Sequence, residues 1–125
     1  SFEVSFKSGE YCGGGTGGTI TKEGGDFKVP CTTIDAWIAE HHISPSLIKL
    51  DIEGAEYRGL LGARKTLTET KNLKILLEVH QNFLGRFGDS EQDVHALLRE
   101  LGYDAIWLDK DCFCTHYWVY QKNKC

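Results

Sequence analysis

The sequence predicts an α/β fold: half of a doubly wound sheet with parallel strands, an antiparallel strand near one edge and an N-terminal β-hairpin. Two apolar segments, 47–52 and 73–79, have the composition of buried strands, and a helical pattern follows each. Two further strand-like segments, 105–108 and 116–120, are separated by too few residues for a parallel crossover. The length of the chain, 1–125, suits a single domain or part of one.

The N-terminal segment predicts strands and a glycine-rich loop. Apolar residues alternate over 2–6, which is the period of a strand with one buried face. The run 13–18 has the spacing G-x-G-x-x-G, but a dinucleotide-binding turn needs a helix directly after the glycines. Strand-like segments at 19–22 and 27–31 follow instead, with a turn at 23–26. We therefore expect a flexible surface loop and then a β-hairpin.

A short helix is expected between this hairpin and the first buried strand. Asp35 is in position to cap it, and His41 or His42 lies at its end. The Ser-Pro pair at 44–45 stops the helix, because the residue before proline disfavours helical backbone.

Two longer helices are predicted later in the chain. Apolar residues at helical spacing over 55–68 indicate one amphipathic crossover helix, in which Gly59 and Gly62 allow close approach to the sheet. The other helix is predicted to begin with a capping-box-like pattern at Ser90. Apolar residues at helical spacing follow, and Gly102 is expected to end this helix.

Composition excludes several classes of partner. The net charge is -4, with 14 basic and 18 acidic residues, so no basic surface for nucleic acid is expected. No apolar run approaches the roughly 20 residues that cross a bilayer, which predicts a soluble segment without a membrane partner, and a cytoplasmic location is favoured. The absence of methionine suggests that sequence has been removed at the front.

The cysteines predict reduced, mostly structural thiols. Five is an odd number, and no C-x-x-C pair is present, which argues against a disulfide framework and a zinc ribbon. Cys112 and Cys114 with His116 would be a weak metal site, since structural zinc usually has four ligands.

Polar side chains follow both buried strands. Because carboxyl ends of parallel strands meet at the edge where α/β proteins bind ligands, we expect Asp51, Glu78 and His80 to converge on one crevice. Glu53 and Glu56 are expected to order the turn and the helix start, since anions near a first turn stabilise a helix by roughly 0.3–1 kcal/mol.

Four ordered blocks resemble the C-terminal half of FkbM-type methyltransferases. They are VPCTTID at 29–35, LIKLDIEGAE at 47–56, GA at 62–63 and ILLEVH at 75–80. The second block is specific, and comparable spacings argue against coincidence. The resemblance covers nearly the whole chain and implies a Rossmann-like class I methyltransferase sheet whose last strand is antiparallel.

The same resemblance implies S-adenosylmethionine as cofactor and O-methylation of hydroxyl groups on sugars, polyketides or similar metabolites. It places Asp51 next to the methionine end of the cofactor and the acceptor, and Glu53 is a second candidate for cofactor binding. In such enzymes a glycine-bearing turn after the first strand and an acidic residue after the second strand bind the cofactor, and both are expected upstream of Ser1. We therefore predict a fragment of a longer enzyme or a divergent domain, and an isolated segment that is inactive.

Methyl transfer to a hydroxyl requires in-line alignment and a base that takes the proton. Asp51 is the first candidate, with Glu78 and His80 beside it. These side chains would also suit a divalent ion such as magnesium, but oxygen ligands alone do not establish a site, so a metal is not favoured. Structural roles are expected for His41, His42, His95, His116, Trp37, Trp107 and Trp118.

Two alternatives stay open. One is a non-catalytic binding or assembly module, and the other is a metal-assisted hydrolase that uses Asp51 and Glu78. The expected partner is a small-molecule hydroxyl acceptor. A half-sheet also exposes a strand edge, so we expect a poorly stable segment or a homo-oligomer formed through that edge.

Overall fold

The chain divides into two compact units. A computed structural model describes residues 2–11, 15–110 and 115–123. The first unit, 1–32, contains a three-stranded sheet, and the second, 33–125, contains a four-stranded sheet with helices. The architecture is therefore mixed α/β.

The first unit is an antiparallel sheet of β1 (Phe2–Tyr11), β2 (Gly15–Thr21) and β3 (Phe27–Cys31) in the order β2-β1-β3. The alternating segment at the N-terminus is a strand, as predicted, and it is the central one. The predicted hairpin between 19–22 and 27–31 is wrong, because both segments pair with β1 instead of with each other.

The turn between β2 and β3 explains this pairing. It crosses β1, where the Asp26 carboxylate accepts hydrogen bonds from the Ser8 N–H and hydroxyl, each at 2.9 Å. The Asp26 N–H donates to the Phe6 carbonyl at 2.8 Å. A Cβ on Gly25 would lie 2.9 Å from the Phe6 backbone, so glycine permits the crossing. Such long-range contacts are not encoded in the local turn pattern.

Much of the glycine run is strand and not loop. Residues 15–18 belong to β2, which corrects the prediction of a flexible loop there, and residues 12–14 lie outside the described residues. A Cβ on Gly18 would lie 2.1 Å from the Phe6 ring, so the missing side chain makes room for that ring. The run continues into a strand and not into a helix, which agrees with the rejection of a dinucleotide-binding turn.

The second unit alternates strands and helices before ending in two strands. Its elements are α1 (Ile34–His41), β4 (Leu47–Leu50), α2 (Glu56–Leu61), α3 (Arg64–Glu69), β5 (Lys74–His80), α4 (Gln81–Leu84), a 3₁₀ turn (Gly85–Phe87), α5 (Glu91–Glu100), β6 (Tyr103–Lys110) and β7 (Thr115–Lys122). The sheet order is β4-β5-β7-β6. β4 and β5 are parallel, and β7 is antiparallel to both of its neighbours, as expected for the last strand.

The core of this unit lies between β5 and its helices. β5 contributes Ile75, Leu77 and Val79, each 0% exposed, and α5 contributes Val94, Leu97 and Leu98. The predicted start of α5 is confirmed, since Ser90 and Asp93 form a reciprocal capping box. Gly102, with φ 82°, follows the helix in the left-handed conformation.

The predicted single helix over 55–68 is wrong, because Gly62 and Ala63 separate two short helices. Ala63 is fully buried, and a Cβ on Gly62 would lie 3.3 Å from the Thr33 side chain, so the break follows close packing. Gly59 lies close to the sheet as predicted, since its Cβ would lie 3.2 Å from the Leu50 side chain in β4, whereas Gly62 faces Thr33 outside the sheet.

Asp35 caps α3 and not its own helix. Thr33 is the N-cap of α1 and accepts a hydrogen bond from the Ala36 N–H at 3.1 Å. The Asp35 carboxylate instead accepts from the N–H groups of Lys65 and Thr66, at 2.9 and 2.8 Å. These are first-turn donors of α3, so a residue of α1 stabilises the second helix after its break.

The sequence also led to predictions about the cysteines, membrane-spanning segments and exposed sheet edges. Cys31 has a free thiol, and the other four cysteines lie outside the described residues. Within the described ranges, no helix combines the length and apolar character needed to cross a bilayer. β4 and β6 are the edge strands of the four-stranded sheet. Association through an exposed edge stays a prediction.

Replacing Asp35 by alanine should lower the free energy of unfolding by about 2 kcal/mol, because two first-turn N–H groups of α3 lose their charged acceptor. Urea denaturation measures this loss. Glu40→Ala, on the exposed side of α1, is the control and should change stability little. Equal effects of the two substitutions would contradict the capping role.

Candidate active site

The candidate site lies where β4 and β5 end. Parallel register sets Leu50 beside Leu77, so both strands leave the sheet at the same edge. Along β5, Leu77 is buried, whereas Glu78 and His80 lie two residues apart on the other face. Asp51 follows β4 directly. The predicted convergence therefore follows from strand pairing.

A constrained loop joins β4 to α2. Glu53 and Gly54 both have positive φ, 53° and 99°. A Cβ on Gly54 would lie 2.4 Å from the Phe83 Cβ and 2.8 Å from its carbonyl carbon, so only glycine fits. The Gly54 N–H donates to Glu56 Oε1 at 2.9 Å. This bond holds the loop against the start of α2.

His80 is surrounded by carboxylates. Its Nδ1 lies 2.8 Å from Glu56 Oε1, which is hydrogen-bond distance. Its Nε2 lies 3.7 Å from Glu53 Oε2 and 3.8 Å from Asp51 Oδ1, too far for a hydrogen bond but close enough for attraction between charges. The His80 side chain is 12% exposed, and that of Glu56 is fully buried. The two ring nitrogens thus have different surroundings.

These surroundings raise the pKa of His80. The hydrogen bond to Glu56 is the main cause, and burial opposes it; the charges of Glu56, Glu53 and Asp51 raise the pKa further. Because the folded pKa lies above the ordinary histidine value of 6.5, protonated His80 stabilises the fold below that pH. This contribution is lost as the pH rises through the folded pKa.

Lys49 connects Asp51 to Glu78. Its Nζ lies 3.0 Å from Asp51 Oδ2 and 3.6 Å from Glu78 Oε1. The hydrogen bond to Asp51 is the main reason why the pKa of Lys49 is raised. Since the lysine is exposed, these ion pairs contribute little to stability. They do place a positive charge next to the Asp51 carboxylate.

Asp51, Glu53 and His80 also form a group of potential metal ligands. One ligand atom from each residue lies within 4.8 Å of the other two. Two carboxylates and an imidazole suit a divalent cation, although magnesium normally takes six oxygen ligands. The geometry is therefore compatible with a cation and does not require one.

The structure brings all four predicted site residues together. Asp51, Glu53 and His80 lie within a few ångströms of each other, and Glu78 joins them through Lys49. Sequence reasoning assigned Glu56 to the helix start, and this residue does order the turn, but its bond to His80 was missed. The spacing to His80 gives no periodic signal, since the contact depends on the parallel pairing of two strands.

A second polar cluster lies between α5 and β7. Glu91 accepts hydrogen bonds from His116 at 2.8 Å and from His95 and Trp118 at 3.1 Å, and also from Gln81. Burial alone would raise the pKa of Glu91, but the bonds from these donors, His116 first, lower it to about 2. Burial lowers the pKa of His95. These bonds connect α5, which contains His95, with β7, which contains His116. A structural role for both histidines stays a prediction.

The comparisons with known proteins identify the family. The family model for the methyltransferase FkbM domain matches residues 4–105, which is more than half of the chain. The chain therefore belongs to the FkbM methyltransferase family, as the ordered sequence blocks predicted. This membership suggests methyltransferase activity and implies use of S-adenosylmethionine. Comparison with curated proteins and with solved structures gives no significant match.

Replacing Gly54 by alanine should destabilise the protein by at least about 2 kcal/mol, because a Cβ there meets the Phe83 backbone at an already positive φ. Thermal unfolding measures the change. Gly85→Ala is the control, since a Cβ at Gly85 would meet nothing within 4 Å. A Gly54→Ala protein as stable as this control would show that the loop adopts another conformation.

Proposed function

We propose that this chain is the acceptor-side part of an S-adenosylmethionine-dependent O-methyltransferase with a Rossmann-like class I sheet. The sheet order β4-β5-β7-β6, with an antiparallel β7, supports this proposal. The observation that carries it is the meeting of Asp51 and His80 at the carboxyl ends of two parallel strands, in a chain of the FkbM family. The proposed acceptor is a hydroxyl group on a sugar or secondary metabolite.

His80 is the proposed base. The acceptor's hydroxyl proton would go to His80 Nε2 as the hydroxyl oxygen takes up the methyl group that a bound donor would supply. Asp51 was the first candidate from the sequence, but its Oδ2 is paired with Lys49. His80 has the side chain that changes charge nearest neutral pH. Asp51 is then suited to orient the hydroxyl group or the base.

The carboxylates of the site suit a positively charged cofactor. Asp51 and Glu53 are the residues of this chain that would hold S-adenosylmethionine, since their carboxylates attract a sulfonium. When bound, the cofactor supplies an electrophilic methyl group. The glycine-bearing turn that the family uses for the cofactor is not recognisable in this sequence, so we expect the isolated chain to lack activity.

The group of Asp51, Glu53 and His80 supports metal-assisted hydrolysis as a second candidate function. A hydrolase would require a divalent cation to activate water, whereas the favoured mechanism uses the imidazole for proton transfer. Addition of Mg²⁺ or of EDTA distinguishes the two. Hydrolysis that EDTA abolishes, without methyl transfer, would favour this alternative.

Calorimetric titration of the protein that contains this chain with S-adenosylhomocysteine should give measurable binding heat. Asp51→Asn should lower the rate of methyl transfer at least about tenfold, because it removes a carboxylate from the crevice. Glu69→Gln, an exposed change of the same charge, is the control. An absence of both heat and thermal shift would overturn the assignment, and unchanged activity in Asp51→Asn would show that Asp51 takes no part in methyl transfer.

The pH profile tests His80 as the base. Only the neutral imidazole accepts a proton, and the pKa of His80 is raised, so kcat should increase as the pH rises through a value above 6.5. His80→Gln should remove this acid limb and lower kcat by about 10²–10⁴-fold. Steady-state rates between pH 5 and 9 measure both effects. An acid limb that persists in His80→Gln would assign the proton transfer to another group.

A further inference from the structure

Glu56 has a fully buried carboxylate, which is unusual for a charged side chain. Its side chain is fully buried at the first residue of α2. Oε1 accepts hydrogen bonds from both the Gly54 N–H and His80 Nδ1, whereas Oε2 has no hydrogen-bond partner among the described residues. Burying a carboxylate costs free energy unless it is paired. A glutamate that only favoured the helix dipole would gain this benefit while exposed to water.

The bond between Glu56 and His80 determines which ring nitrogen carries the proton. An ionised carboxylate only accepts hydrogen bonds, so Nδ1 must be the donor in their 2.8 Å contact. In a neutral imidazole the lone pair is then on Nε2. Nε2 is also the nitrogen that faces Asp51 and Glu53, at 3.8 and 3.7 Å. The free lone pair therefore points toward the acidic crevice.

The same oxygen of Glu56 also holds the loop that carries Asp51 and Glu53. The Gly54 N–H donates a hydrogen bond to this oxygen. The residue before Gly54, Glu53, is not a glycine but has a positive φ of 53°. Such conformations cost free energy and persist where the surroundings enforce them. One carboxylate thus connects the end of β5 with the loop after β4, which are the two halves of the candidate site.

We propose that Glu56 is the positioning residue of this site, which fixes His80 with Nδ1–H donated to Glu56 and the Nε2 lone pair directed at the acceptor hydroxyl. This inference rests on the proposed function, in which His80 is the base. Glu56 itself, bonded to His80 and Gly54, does not contact the reacting atoms. The Phe83 ring, parallel to the imidazole at 6.1 Å between centroids, lies on the α4 side.

The charged groups that face His80 come from two segments. Asp51 and Glu53 are on the loop after β4, with Lys49 next to Asp51, and Glu56 is on α2. Among these, only Glu56 is within hydrogen-bond distance of the ring. Loss of its charge should therefore change both the tautomer and the proton affinity of His80, whereas loss of a more distant charge should change only the affinity.

Long-range ¹H–¹⁵N correlation spectra of the protein test this directly. In the wild type above the His80 pKa, Nδ1 should be protonated and Nε2 should have the chemical shift of an unprotonated nitrogen. In Glu56→Gln the pKa of His80 should fall, because the hydrogen bond to the Glu56 carboxylate is the main reason why this pKa is raised. The acid limb of kcat should move to lower pH by the same amount, and kcat should fall about 10–100-fold with little change in KM.

Glu69→Gln is again the matched control, and Glu56→Asp is the conservative variant that should partly restore the wild-type tautomer. An Nε2–H tautomer in the wild type would overturn the proposal, and this result requires no variant to fold. A Glu56→Gln spectrum identical to that of the control would also overturn it. If the spectra respond as expected but no methyl transfer occurs under any condition, the proposed function fails, and only the assignment of the His80 tautomer to its bond with Glu56 stands.

Discussion

The parallel pairing of β4 with β5 is the constraint on which the site depends. It aligns Leu50 with Leu77 and makes both strands end at one edge of the sheet. Everything polar in the site follows from this register: Asp51 and Glu53 leave one strand, and His80 ends the other. A shift by one residue would turn His80 into the core and Val79 toward the crevice. Burial of Ile75, Leu77 and Val79 in the core of the unit opposes that shift.

Much of the fold could be predicted from local pattern. Alternation at the N-terminus, the apolar segments around 47–52 and 73–79, and the capping box at Ser90 each express a short-range rule. The convergence of Asp51 and His80 was also predictable, because it needs only two parallel strands with polar ends. Local rules work at these positions because the tertiary structure agrees with them.

Other features depend on contacts between segments that are distant in sequence. β2 and β3 lie on either side of β1, and the Asp26 carboxylate in the turn between them accepts a hydrogen bond from the Ser8 N–H. The sequence pattern of a local hairpin does not predict that contact. The helix over 55–68 breaks because Ala63 is buried and Asp35, about thirty residues earlier, caps the second half. Glu56 is the corresponding case in the site: a favourable helix-start residue becomes the hydrogen-bond partner of His80.

We propose that Asp51 and His80 face a methyl donor in the crevice beyond β4 and β5. A crystal structure of the protein with S-adenosylhomocysteine bound tests it most directly. We expect the sulfur atom in this crevice beside Asp51, with His80 Nε2 facing the acceptor side and Nδ1 bonded to Glu56. A sulfur atom bound at the opposite edge of the sheet, away from both residues, would contradict it.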